Sequence, residues 1–243
     1  MFRTAIQLYT LHDLGDSLPE LLARVGETDF DGVEFAGLGS SNPSIVNDAL
    51  NKAGLDIAGA HVDADLLAES VEETVSRYQQ VGCGTFVVPY LDESYFETRD
   101  AVERTAEELS KFGERLSEEG ISLHYHNHDH EFVPLNGRTA FDILVETTTQ
   151  VNFELDVGWV AAAGHDPVEL LDELGSQVSL VHIKDVRTDS REPVELGEGD
   201  VDLRACAEAA RRTGVEWLIY EHDQPNDLMA SLQHGSEYLL ALE

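Results

Sequence analysis

The chain has 243 residues, 42% of them hydrophobic and 26% charged, which suits a globular protein with a sizeable core. Acidic residues number 48 against 15 basic ones, and a formal net charge of −33 repels nucleic acid and anionic membranes, so neither is expected as a partner. No apolar run reaches the ~18 residues that cross a bilayer, and MFRTAIQLYT opens without the regions of a secretory signal, so a cytoplasmic location is expected.

Short β-branched and aromatic runs alternate with amphipathic stretches along the whole chain. TAIQLYT reads as the first strand, and SLPELLARVGE as a helix capped by Ser17 with Pro19 in its first turn. GVEFAG is the second strand, and the helix NPSIVNDALNKAG stops at Gly54. LDIAGAHV and TFVVPY follow as strands three and four, flanking the acidic AESVEETVSRYQQ. The longest helix is expected from about Tyr95 to Gly120, with Ala101, Val102, Ala106, Leu109 and Phe112 at helical spacing. ISLHYHN, VNFELDV, VSLVHIKDV and EWLIYEH complete eight strands. No linker divides the chain, so residues 1–243 read as one domain. Strands alternating with helices in this number predict an α/β fold, the (β/α)8 TIM barrel. An open doubly wound sheet is the alternative, but the chain lacks its G-x-G-x-x-G phosphate loop. Cys83 and Cys206 have no partner spacing and read as buried thiols.

Active sites of such barrels lie at the carboxyl ends of the strands. Those ends carry Gln7, Tyr9, Glu34, His61, Tyr90, the stretch LHYHNHDHEF, Glu154, Asp156, His182, Lys184, Asp185, Glu221 and His222. Ionisable groups just inside nearly every strand are costly unless they pair or bind a ligand. Residues two apart share a face of a strand, which groups His124 with His126 and His128, Glu154 with Asp156, and His182 with Lys184. At the eighth strand alternation does not choose between Glu221 and His222. Imidazoles and carboxylates converging without thiolates suit manganese, magnesium, cobalt or zinc. A lone strand histidine such as His61 is more often a hydrogen-bonded wall residue, and His12, His165 and His234 read as surface residues.

In joint order and spacing, IQLYTLHD, DGVEFAG, GAHV, YHNHDHEF, ELDVGWVAAAGHDPVELL, VHIKD, ELGEGDVDL, WLIYEHD and SLQHGSEYLLAL resemble the sugar phosphate isomerase/epimerase family of xylose isomerase-like TIM barrels. The resemblance implies one divalent ion, manganese favoured, bound at the ends of strands five to eight, and proton transfer next to a sugar carbonyl or hydroxyl. It implies Asp156, His182 and Glu221 as ligands, which settles the eighth strand on Glu221. At the fifth strand family epimerases carry a glutamate; the aligned residue here is His126, with Glu131 as the substitute. Losing that glutamate questions two-carboxylate epimerisation and admits aldose–ketose isomerisation, or a dehydratase of the inosose or keto-sugar kind. Glu221 is then the expected base, Lys184, held by Asp156 or Asp185, the donor to a developing oxyanion, and His61 a proton shuttle. Glu34, His128, Trp159 and Glu131 are expected to bind substrate, Trp159 by stacking. Few cations could hold a phosphate, which favours an unphosphorylated sugar, keto-sugar or cyclic polyol. Barrels of this family often form homo-oligomers, and nothing in the sequence marks an interface. The dispersed acids and only three lysines, Lys52, Lys111 and Lys184, resemble the salt-adapted proteins of halophilic archaea.

Overall fold

The computed structural model describes residues 2–242. Eight parallel strands close into a barrel: β1 (Arg3–Gln7), β2 (Gly32–Phe35), β3 (Asp56–His61), β4 (Thr85–Val88), β5 (Ser122–His126), β6 (Asn152–Asp156), β7 (Val178–Ile183) and β8 (Trp217–Tyr220). Neighbours in sequence are neighbours in space, and β8 returns to β1 with Ile6 opposite Tyr220. The expected (β/α)8 architecture is therefore the observed one.

Helices α1 (Leu18–Val25), α2 (Pro43–Ala53), α3 (Ala64–Gln79), α4 (Arg99–Glu118), α5 (Ala140–Thr147), α6 (Val157–Ala162), α7 (Pro167–Leu174), α8 (Leu203–Thr213) and α9 (Leu228–Leu240) surround the sheet. Their starts follow local chemistry. Ser17 N donates to Glu20 Oε2 at 2.8 Å ahead of α1, and Asn42 Oδ1 accepts from Ser44 N at 2.9 Å ahead of α2. Gly54 ends α2 in the left-handed region, at φ 73°. The long helix begins later than Tyr95 because Thr98 caps it, Oγ1 accepting from Ala101 N, while Glu93–Tyr95 form a separate 3-10 turn. Cys83 and Cys206 are buried and free.

Two cores divide the apolar residues. The large one lies between the outer face of the sheet and the helices, and includes Phe35, Phe86, Phe153, Tyr220 and Leu22. The small one plugs the barrel interior with Ala5, Ala58, Val87, Leu180, Trp217 and Ile219. This plug closes the amino end, so the polar residues further along the strands can open only toward the carboxyl end.

Helix α4 approaches the connection into β6 so closely that a Cβ on Gly113 would stand 2.2 Å from the Gln150 carbonyl oxygen. Alanine gains about 1 kcal/mol of helix propensity over glycine, but overpacking costs about 1–3 kcal/mol, and here backbone must move. Gly113→Ala is expected to be net destabilising, read as a lower urea midpoint; an unchanged midpoint would show that the connection yields freely.

Candidate active site

Above the apolar plug the inward positions turn polar. Gln7 and Glu34 are register partners, and Gln7 Nε2 donates to Glu34 Oε2 at 2.8 Å. The same oxygen lies 2.7 Å from His182 Nε2 and 3.3 Å from His61 Nε2. Glu154 stands opposite His126, and its Oε2 lies 3.0 Å from His126 Nδ1, 3.1 Å from His182 Nε2 and 3.2 Å from His61 Nε2. Two carboxylates thus hold three imidazoles from β3, β5 and β7.

One layer higher, Asp156 ends β6 opposite His182 and caps α6: its Oδ1 accepts from Trp159 N at 2.9 Å. The helix start fixes the carboxylate and leaves Oδ2 buried without a hydrogen bond. Lys184 Nζ lies 3.2 Å from that oxygen, 2.9 Å from Glu221 Oε2 and 2.9 Å from Asp223 Oδ2. The lysine stem passes over Gly158, where a Cβ would meet its Cγ at 2.9 Å, and its ammonium lies 4.9 Å from the Trp159 ring centroid.

His126, Asp156, His182 and Glu221 each turn one donor atom toward the others, all within 4.8 Å. Bonds of about 2.0–2.4 Å let one divalent ion gather such a set. The unpartnered Asp156 Oδ2, and a mixed nitrogen and oxygen donor set without thiolate, fit such an ion. A second group, His61, His126, Glu154 and His182, meets the same spacing one layer lower.

Burial disfavours each of these charges, and the neighbours decide which persist. At Glu221 burial is outweighed by the Lys184 ammonium and His182, which hold the carboxyl well below its usual range. His182, with His126 and His61, does the same against burial at Glu154. At Asp156 burial prevails over Lys184 and raises it. Burial is overcome at His182 by Glu154, Glu221 and Glu34, which raise it well above its usual value, and at His61 by Glu34 and Glu154, which push it up to about 10. His128 moves oppositely, down to about 2, through burial and the neighbouring His126.

A cavity of about 830 Å³ opens over this centre, lined by Tyr9, His61, Tyr90, His126, His128 and Glu221 among others. Trp159 stacks its ring 5.9 Å from that of His128, and His128 Nδ1 and Trp159 Nε1 are buried without hydrogen-bond partners.

Three expectations need correction. Glu131 is neither a substitute ligand nor a substrate contact: it is fully buried on the outer side of β5, accepting from Tyr125 Oη at 2.6 Å and His128 N at 2.8 Å. Glu34 is fully buried beneath His61 and His182, so it holds them and does not reach substrate. Asp185 does not hold Lys184; its carboxylate accepts from Gly197 N and Gly199 N, both at 2.9 Å, and Asp223 takes the lysine instead. Asp223 was visible only as the last letter of YEHD, where nothing signals a turn back toward β7.

The chain matches the xylose isomerase-like TIM barrel family over residues 20–242. It is 24% identical over 233 residues to the inosose dehydratase of Lacticaseibacillus casei, covering 80% of this chain and 78% of that one. Among solved structures it superposes on a sugar phosphate isomerase/epimerase from Parabacteroides distasonis ATCC 8503 with a TM-score of 0.85, at 21% identity, covering 99% of this chain and 94% of that one. D-allulose 3-epimerase from Methylomonas sp. gives a TM-score of 0.72 at 13% identity, covering 100% of this chain and 98% of that one.

A divalent ion at about 100 times its Kd should stabilise the fold by about 2.7 kcal/mol, read as a rise in Tm, with most of that rise lost in Asp156→Asn. Binding must displace the proton that the carboxylates keep on His182, so affinity should increase with pH. No response to manganese, magnesium, cobalt or zinc would remove the centre.

Proposed function

The chain belongs to the xylose isomerase-like TIM barrel family, and from that premise we propose that it is a divalent-metal-dependent isomerase of a sugar or keto-sugar, working by proton transfer at a carbon next to a carbonyl. The observation that carries this reading is the convergence of His126, Asp156, His182 and Glu221, from four successive strands, beneath the cavity. When bound there, a divalent ion, manganese being favoured, supplies Lewis-acid polarisation of substrate oxygens. Glu221, kept ionised by Lys184 and His182, is the base that takes the proton. Lys184, held cationic against burial by Asp156, Glu221 and Asp223, donates to the oxygen on which charge develops. His61 lies between the carboxylate layer and the cavity and relays protons to its open side. His128, kept neutral, and Trp159 receive hydroxyls and the apolar face of the sugar.

With Glu131 turned outward, only Glu221 is left as a carboxylate base over the substrate, which favours isomerisation over two-carboxylate epimerisation. Dehydration of a keto-polyol or keto-sugar is the second reading, supported by the similarity to inosose dehydratases and needing the same first proton removal. The cavity also opposes phosphate. Asp63, Glu69, Glu73 and Asp223 line it, and the Arg77 guanidinium there is spent on the Gly39 and Ser41 carbonyls. The partner is then an unphosphorylated small sugar, keto-sugar or polyol. The buried free thiols fit a reducing, cytoplasmic setting, and the net charge of −33 supports adaptation to high salt.

The metal-loaded protein is to be incubated with sugars, keto-sugars and inososes in D2O and followed by proton NMR. Exchange of one carbon-bound proton with isomer formation supports the first reading, and loss of water the second. Glu221→Gln should lower turnover by about 10²–10⁴-fold; intact turnover in this variant would falsify the assignment of the base. Stability should rise with salt as screening shortens from about 10 Å at 0.1 M to about 3 Å at 1 M, and full activity and an unchanged Tm in dilute buffer would argue against salt adaptation.

A further inference from the structure

The two imidazoles of the candidate centre each face two ways. His126 turns Nε2 toward Asp156 Oδ2, 3.8 Å away, and Nδ1 toward Glu154 Oε2, 3.0 Å away. His182 turns Nδ1 toward Glu221 Oε2, 3.1 Å away, and Nε2 toward Glu154 Oε2 at 3.1 Å and Glu34 Oε2 at 2.7 Å. A neutral imidazole owns one lone pair and one N–H, and whichever nitrogen keeps the hydrogen cannot hold a cation. An ion bound with Asp156 and Glu221 therefore needs the hydrogen of each ring on its lower nitrogen, and only an acceptor placed below can keep it there.

One oxygen does this for both rings. We propose that Glu154 is a positioning residue that fixes His126 as the Nδ1–H tautomer and His182 as the Nε2–H tautomer, so that both lone pairs point at a single cation. The proposal rests on the metal reading above and extends it to a residue outside the coordination set. Glu34 contributes less, because it touches His182 and not His126, and Gln7 occupies the same oxygen. The lower group of His61, His126, Glu154 and His182 is then not a second metal site: filling it together with the upper one would need two lone pairs from each shared ring. Backbone placement explains why one carboxylate reaches both rings. Glu154 lies opposite His126 on β5, and Asp156, two residues on, lies opposite His182 on β7.

The test is calorimetric titration of the full-length protein with Zn²⁺ in high salt, together with ¹H–¹⁵N NMR of the imidazoles in the Zn²⁺-loaded wild type. One equivalent should bind, and the spectrum should show His126 Nδ1–H and His182 Nε2–H. Glu154→Gln should weaken binding by about 10–100-fold, Glu34→Gln by less, and Glu154→Asp, which keeps the carboxylate, by less than Glu154→Gln. The metal-free melting curve of each variant shows whether it folds, and the wild-type spectrum decides the tautomers even if a variant does not. Opposite tautomers, two bound equivalents, unchanged affinity in Glu154→Gln, or an equal loss in Glu34→Gln would each overturn the proposal while leaving the metal site standing. No binding by the wild type would overturn both.

Discussion

The open end of this barrel depends on charge placed where water does not reach. An unpaired buried carboxylate carries a penalty of several kcal/mol, so Glu34, Glu154, Asp156 and Glu221 persist as members of one network with His61, His126, His182 and Lys184. The network is layered. A neutral amide, Gln7, braces the lowest carboxylate; imidazoles bridge the two carboxylate levels; the ammonium closes the top. Removing one member leaves its partners as isolated charges, and for this reason the polar interior behaves as a unit.

Much of this was legible in the sequence because barrels translate strand periodicity into direction. Alternation in NFELDV put Glu154 and Asp156 on one face, and alternation in VHIKD did the same for His182 and Lys184; both pairs point inward. The eight strands were legible for the same reason, since each is short, apolar and followed by an amphipathic helix with its own cap. What alternation does not carry is depth. Glu154 and Asp156 share a face but sit in different layers, one beneath the imidazoles and one beside the ammonium. Glu34 was misread on the same ground: it faces inward, yet lies one layer too low to meet a ligand.

Loop residues were less legible, because no period governs them once the strand has ended. In HYHNHDHEF the strand stops at His126, and the chain then turns so that Glu131 returns to the outer face and bonds Tyr125, whose ring belongs to the sheet–helix core. The GEGD loop is comparable. Asp185 reads as a partner for the adjacent Lys184, but backbone N–H groups of Gly197 and Gly199 claim its carboxylate, and a Cβ on Gly199 would stand 2.2 Å from it. That demand is set by how closely two segments approach, which only the folded chain defines.

The passage of Lys184 over Gly158 carries a last consequence. A lysine side chain gives up about 1.5–2 kcal/mol of rotational freedom when it is immobilised. Here the missing Cβ of Gly158 shapes a channel that admits the stem, and three carboxylates arrest its tip. That loss is incurred when the chain folds, so an arriving sugar meets a cation already stilled and spends none of its own binding energy on ordering it.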